Sequence, residues 1–316
     1  MDFEQLKDFF ESHDNFQILT HKNPDGDTLG CAFALCHFLR NSGKKANVLN
    51  SDGFPARYEL MYEGYSEQEF EAECVVAVDI ADTQLLGSRL AEYAEEGKID
   101  LCIDHHISNK FYAKETYLDG QASAASLIMY EFLKHIGAEI TNQMAKCLYT
   151  GIATDTGCFK FENTIPRAHA AAAELMAYDI NFALINRKMF DIKSRGRLMV
   201  EQAVLSNIEY FFDGKCAIIL LTKELMKSCG VEEAEFHGLA SLPLQVEGVK
   251  IGITIKQRHD EVFKLSVRTT EEIDASEFCQ NFNGGGHIRA AGCEIQGKLD
   301  YVKNVVIEQV GKTLGC

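Results

Sequence analysis

The sequence predicts an α/β protein: an N-terminal, mostly parallel sheet flanked by helices, followed by a smaller C-terminal α/β domain. Three observations carry this expectation. Short apolar runs of strand length alternate with helical periodicities through the first 190 residues, as βαβ crossovers require. Several of those runs end in Asp or His, most of them near Gly, the composition of loops at the carboxyl ends of buried parallel strands. After Phe190 the pattern changes to further strand-like segments with no internal repeat, which marks a second domain.

Residues 1–10 are acidic and amphipathic, a surface helix rather than a signal peptide. Residues 16–20 read as a strand, followed by a helix over about 28–41 that closes near Gly43. A second strand is expected at 45–50, and two more at 74–79 and 99–104 with a helix over 85–96 between them. Helices follow at 123–136 and 141–152, then a strand near 157–161 and an Ala-rich helix over 166–177. A helical connector over 191–208, patterned as helix from 196, separates domain 1–190 from domain 209–316. In the latter, 215–221, 249–255 and 262–267 read as strands, the last two forming a hairpin.

At 316 residues, 46% hydrophobic and 25% charged, the chain is sized for two soluble domains. No run approaches the roughly 18 apolar residues of a membrane span, so no membrane association is expected. Eleven cysteines are scattered without a Cys-x-x-Cys pair, and Cys36, Cys74, Cys102 and Cys147 lie in apolar runs. They read as the reduced thiols of a cytoplasmic protein. The net charge of −16 divides into −13 over residues 1–194 and −3 over the rest. Without a positive field, duplex nucleic acid is excluded as a partner.

Asp104-His105-His106, at the end of the apolar run 99–103, is the most informative feature. Three further clusters of hard ligands share its half of the chain: His21-x-x-x-Asp25-x-Asp27, Asp79 after a Val-rich run, and Asp155 in Thr-Asp-Thr-Gly. Each has an ordinary alternative. Asn-Pro-Asp-Gly-Asp is turn chemistry, Asp79 and Asp155 suit helix caps, and adjacent histidines are often structural. Four such segments at one expected sheet edge make coincidence a poor account, and that edge is where α/β sheets bind ligands. Bare carboxylates gathered there would repel one another. A mixed imidazole/carboxylate shell suits Mn²⁺ better than Ca²⁺. His21, Asp25, Asp27, Asp79, His105 and Asp155 suffice for two divalent ions about 3.5–4 Å apart, with Asp79 the natural bridge. His13, His37, His135, His169, His237 and His259 lack such a setting.

In the second domain Gly284, Gly285, Gly286 and His287 precede what reads as a helix start at 288–292. Close backbone approach and helix N-terminal amides favour phosphate. Arg268 offers a bidentate phosphate contact and Arg289 a further donor. Taken alone, three glycines are equally a flexible turn.

The segments 20–30, 78–79, 104–106 and 154–157 resemble the DHH phosphoesterase superfamily, and 282–292 resembles its DHHA1 partner domain. By architecture the chain is most similar to standalone bacterial oligoribonuclease/pAp-phosphatase-like proteins, the nanoRNases. The resemblance implies that His21, Asp25 and Asp79 hold one ion, and that Asp27, Asp79, His105 and Asp155 hold the other. It makes Asp104 and His106 the catalytic support, with His106 near the scissile phosphate, and gives Arg268 and Gly284, Gly285, Gly286 and His287 to substrate binding. The implied reaction is hydrolysis of very short oligonucleotides, or of 3′-phosphoadenosine 5′-phosphate (pAp), to 5′-mononucleotides. Linear or cyclic dinucleotides are the alternative substrates, and a nucleotide-sensing binding protein the non-enzymatic one. Oligomeric state is left open, a homodimer included. Two departures stand out: Cys31 where Ser is common, and Leu85-Leu86 where an Arg is frequent.

Overall fold

The structure is a computed structural model that describes residues 1–230, 238–270 and 272–315; His237 lies outside them. The chain divides into two compact units, Met1–Ile192 and Lys193–Cys316.

The first unit opens with α1 (Phe3–Ser12), β1 (Phe16–Leu19), α2 (Gly26–Asn41), β2 (Ala46–Leu49) and α3 (Glu59–Tyr62). It continues through β3 (Cys74–Val78), β4 (Leu101–Asp104), β5 (Glu115–Leu118), α4 (Ala125–His135), α5 (Asn142–Asp155), α6 (Pro166–Leu175) and α7 (Phe182–Asn186). The sheet order is β2-β1-β3-β4-β5 and every pairing is parallel. All five strands therefore end on one edge. The chain leaves β1 for one neighbour and returns as β3 on the other, so β1 and β3 flank the crevice where such sheets bind ligands.

On one face the sheet packs against α2, α4 and α5, burying Phe16, Ile18, Val76, Ile103, Leu127 and Ile152. The other face buries Leu19, Ala77, Cys102, Leu86 and Leu90. α2 meets α5 through glycines: a Cβ on Gly30 would lie 2.6 Å from the Cys147 carbonyl and 3.1 Å from Gly151 Cα. A Cβ on Gly151 would overlap Ser126 and approach Asp27 Oδ1 at 3.0 Å.

Lys193–Cys316 contains α8 (Arg195–Ser206), β6 (Glu209–Phe211), β7 (Cys216–Leu221), α9 (Lys223–Cys229), β8 (Ile251–His259) and β9 (Val262–Thr269). It ends with α10 (Ala275–Gln280), β10 (Gly285–His287), β11 (Ala290–Gln296) and α11 (Leu299–Leu314). The sheet order is β10-β11-β9-β8-β7-β6, with β7 and β8 parallel and the rest antiparallel. One face packs Ile253, Leu265 and Val267 on Phe278, Val302 and Val306. The other packs Ile219 and Leu221 on Val200 and Val204.

The elements depart from expectation in four places. The helix expected over 85–96 is two 3₁₀ segments, Thr83–Leu85 and Ser88–Ala94, separated by Gly87 at φ +80°, a conformation that no α-helix continues through. The strand expected near 157–161 is a turn, with Gly157, Cys158 and Phe159 all at positive φ. β5 has too short an apolar alternation to read from sequence. Residues 288–292 enter strand β11 rather than a helix, so helix N-terminal amides cannot be the phosphate donors there.

Because the Cys147 carbonyl is backbone and cannot swing aside, Gly30→Ala should destabilise the protein by about 1–3 kcal/mol, an overpacking cost. A chemical denaturation midpoint unchanged from wild type would contradict that account of the α2–α5 crossing.

Candidate active site

Three strand ends and two helix ends build the centre. Beyond β1 comes His21; Asp25 is the N-cap of α2, its Oδ1 accepting from the amides of Asp27 at 3.0 Å and Thr28 at 3.1 Å. Beyond β3 comes Asp79, at φ +60°, its amide donating to the Ile103 carbonyl at 2.9 Å. β4 delivers Asp104 as its last residue, with His105 and His106 after it. Asp155, expected with the other acids at strand ends, is the last residue of α5.

The side chains converge. His21 Nε2 lies 3.6 Å from Asp25 Oδ1 and 3.7 Å from Asp79 Oδ2. His105 Nε2 lies 3.4 Å from Asp79 Oδ1, 3.7 Å from Asp155 Oδ2 and 3.9 Å from Asp27 Oδ2. Among the described residues three groups able to hold a metal ion result, His21/Asp25/Asp79, Asp27/His105/Asp155 and Asp79/His105/His106, with ligand atoms within 4.8 Å of one another in each. The two oxygens of Asp79 turn to different groups.

Each histidine is oriented through Nδ1. His21 Nδ1 is 2.8 Å from the Lys22 carbonyl and His105 Nδ1 is 3.2 Å from the Ala122 carbonyl. A carbonyl partner requires the proton on Nδ1 and leaves the Nε2 lone pair facing the carboxylates, the tautomer a metal ligand needs. His106 differs. β4 stops at Asp104, so no strand alternation turns His106 away from His105, and both rings face Asp79, His106 Nδ1 at 3.5 Å. What separates them is that His106 Nδ1 is already bonded to Asp104 Oδ1 at 2.8 Å.

Asp104 is fully buried and fully satisfied. Its Oδ1 accepts from the amides of His105 and His106 as well, and its Oδ2 from Asn109 Nδ2 at 2.6 Å. Burial opposes its ionisation, yet the bonds from His106 and Asn109 hold the carboxyl below its usual range. That hydrogen bond in turn raises the His106 imidazole. Asn109 has no place in the expected site; an amide three residues beyond the histidine pair in a polar loop was its only signal.

The other acids are under strain. Burial, then repulsion from Asp79, pushes Asp27 up to about 7 despite amides of Ala125 at 2.6 Å and Ser126 at 2.8 Å. Burial, then repulsion from Asp27, pushes Asp155 up to about 8. Its place at a helix C-terminus is also the unfavourable end of the dipole. Burial opposes protonation of His21 and His105, but the facing carboxylates outweigh it and raise them to about 11 and about 10. Asp79 Oδ1 is buried and has no hydrogen-bond partner. An unpaired buried carboxylate oxygen, crowded acids and outward-anchored imidazoles fit divalent cations.

In the second unit, register places Gly285, His287, Ala290 and Arg268 on one sheet face. His287 is exposed, and the Arg268 guanidinium bonds the Val267 carbonyl at 2.9 Å. A Cβ on Gly284 would overlap Gly292 and Cys293, and one on Gly286 would lie 2.6 Å from the Ala290 carbonyl, whereas Gly285 faces open space. Arg289 instead ties the Thr270 and Ile273 carbonyls together.

A parallel sheet with an acid/imidazole centre at its carboxyl edge, joined to a glycine-hairpin domain, defines a hydrolase acting on phosphate esters. The chain belongs to the DHH/DHHA1 phosphoesterase family: residues 15–152 match the DHH family, N-terminal domain, and 220–312 the DHHA1 domain. It is 32% identical to the bifunctional oligoribonuclease and PAP phosphatase NrnA of Thermus thermophilus, over 94% of this chain and 89% of that one. A probable NrnA of Streptococcus mutans is 26% identical over 92% of each. Among solved structures, an exopolyphosphatase-related protein from Bacteroides fragilis superposes with a TM-score of 0.87 at 26% identity, over 98% of this chain and 95% of that one. Among the described residues no helix is long and apolar enough to cross a membrane.

Two expectations follow. Metal binding must displace the protons favoured on Asp27 and Asp155, pushed up to about 7 and about 8, and on His21 and His105, raised to about 11 and about 10, so Mn²⁺ affinity should fall steeply as the medium is acidified from pH 8 towards about pH 6. Calorimetric titrations in buffers of different ionisation enthalpy would detect the released protons; an affinity flat across that interval contradicts the assignment. Asn109→Ala removes a donor from a buried carboxylate and should cost about 1–3 kcal/mol of stability. Its melting curve measures this.

Proposed function

We propose that the chain is a two-metal phosphoesterase that cleaves very short oligonucleotides, and the 3′-phosphate of pAp, to 5′-mononucleotides, with Mn²⁺ as the favoured ion. The observation that supports it most is the split of Asp79, Oδ2 towards His21 and Oδ1 towards His105, the disposition of a bridging ligand. The relatives' names as oligoribonuclease and PAP phosphatase point to the same substrates.

His21, Asp25 and Asp79 hold one ion in this reading, and Asp27, Asp79, His105 and Asp155 the other. When bound, the ions supply Lewis acidity towards phosphate oxygens and acidify water. His106, its Nδ1 engaged by Asp104, presents Nε2 to a phosphate oxygen and donates a hydrogen bond there. Asp104 and Asn109 keep that ring from turning. Arg268, His287 and the amides around Gly285 bind the part of the substrate that does not react. The acidic surface of the first unit disfavours long polyanions, which fits a preference for short ones.

Product analysis with Mn²⁺ on end-labelled oligonucleotides of graded length, alongside pAp and cyclic dinucleotides, tests the reading. Release of mononucleotides fastest from two- to four-residue chains, in order of magnitude of length, is expected; turnover of none of these substrates overturns it. Asp79→Asn should abolish turnover and lower the bound metal while leaving the fold intact by circular dichroism. His106→Ala should reduce the rate with metal content unchanged, whereas His105→Ala should lose metal. Arg268→Ala or His287→Ala should cut kcat/KM on dinucleotides roughly 10–150-fold, the worth of one charge-assisted phosphate contact. Steady-state kinetics on a dinucleotide and on a small generic phosphodiester separates capture from chemistry: an equal loss on both would contradict the capture role.

A further inference from the structure

We infer that Phe161, together with Ile107, forms an apolar rim beside the metal centre against which a nucleobase of the substrate packs, so that the enzyme selects nucleotides over phosphate chains that carry no base. The inference rests on the phosphoesterase reading and adds the part of the substrate next to the reacting phosphate.

Phe161 is 58% exposed, yet it is not loosely held. Its amide donates to the Thr156 carbonyl at 3.0 Å, and the far edge of its ring sits where a Cβ on residue 157 would be. Gly157 is thus required twice, for φ +58° and to seat the ring. The same turn is tied to the ligand: Asn163 Nδ2 donates to the Asp155 carbonyl at 3.1 Å. Phe159, two residues earlier, turns inward and stacks on His169 with centroids 5.1 Å apart. The chain therefore buries one ring of the pair and holds the other out, next to Asp155.

Ile107 repeats the arrangement on the neighbouring segment. It follows His106 directly, is 84% exposed, and has its Cγ2 2.7 Å from where a Cβ on Gly120 would lie. Each segment follows a residue of the centre along the chain, and those residues lie together, His105 Nε2 being 3.7 Å from Asp155 Oδ2. Single exposed apolar residues are common and need no explanation. Here two are each seated on a glycine and each follow a proposed ligand by a few residues along the chain. A phosphate drawn to such a centre brings the rest of its molecule against these side chains. A nucleobase has the flat apolar face that matches them, and aromatic stacking tolerates any base. The rim therefore favours a nucleoside without dictating which base.

The chain contains no Trp, so Phe161→Trp installs a single fluorescent reporter. With the Mn²⁺-loaded enzyme, AMP should quench its emission and ribose 5-phosphate should not. Phe161→Ala and Ile107→Ser should weaken AMP binding, Phe161→Ala by roughly 5–100-fold, the range expected for one stacked base. Both should leave affinity for ribose 5-phosphate and metal content unchanged, and Phe161→Tyr should restore AMP binding. Turnover of a dinucleotide should fall in parallel, while that of its abasic counterpart should not. Unchanged AMP affinity in Phe161→Ala, or an equal loss for ribose 5-phosphate, overturns the rim while leaving the phosphoesterase reading intact. A wild-type enzyme that turns over inorganic polyphosphate but no oligonucleotide or pAp overturns both.

Discussion

The centre depends on a buried carboxylate that the protein leaves unsatisfied. Asp79 is nearly inaccessible, sits at a left-handed φ, and has one oxygen with no hydrogen-bond partner. A non-glycine residue in that conformation stores strain, and an unpaired buried charge costs several kcal/mol. Neither persists unless the surroundings hold it there. Here the surroundings are the sheet itself: the Asp79 amide is fixed to the Ile103 carbonyl of the neighbouring strand. The fold places at the crevice between β1 and β3 a carboxylate that three imidazoles face at 3.4 to 3.7 Å and that suits a bound cation.

The other acids differ in how far the protein satisfies them, and the difference follows helix direction. Asp25 caps α2, and Asp27 accepts two amides at the start of α4. Helix N-termini stabilise both negative charges. Asp155 stands at the end of α5, where the dipole is unfavourable, and the hydrogen bond it accepts from Asn163 Nδ2 is long at 3.5 Å. The site thus combines acids that are anchored before any ion binds with acids that require one. The glycine contact between α2 and α5 is what brings these opposite helix ends together. Gly151 leaves the space that Ser126 and Asp27 occupy.

The expected strands β1 to β4 and every proposed ligand were legible in the sequence, because apolar runs ending in acids and imidazoles leave few alternatives in a parallel sheet. What was not legible depended on backbone conformation that composition does not encode. Asp155 reads the same whether it ends a helix or follows a strand. The segment after Asp155 has strand-like residues but turns through three consecutive positive φ angles. Residues 288–292 read as a helix start because Arg-Ala-Ala is helix-favouring, and pairing with β9 overrides that preference. Asn109 stayed hidden because its role lies in one bond to Asp104.

The three active-site histidines show how little is needed to divide roles among identical side chains. Two Nδ1 atoms face backbone carbonyls and one faces a carboxylate. The carbonyls have fixed positions and no charge, so they keep a proton on Nδ1 of His21 and His105 and turn each Nε2 to the carboxylates, where a metal ion would take the place of the second proton that those carboxylates favour. The carboxylate of Asp104 favours the charged ring, and so prepares His106 to donate rather than accept. His106 is therefore distinguished from His21 and His105 by its partner on the far side, not by its distance to Asp79, which is nearly the same for His105 and His106. A parallel sheet suits this arrangement because its carboxyl edge presents carbonyls, strand-end side chains and helix termini together.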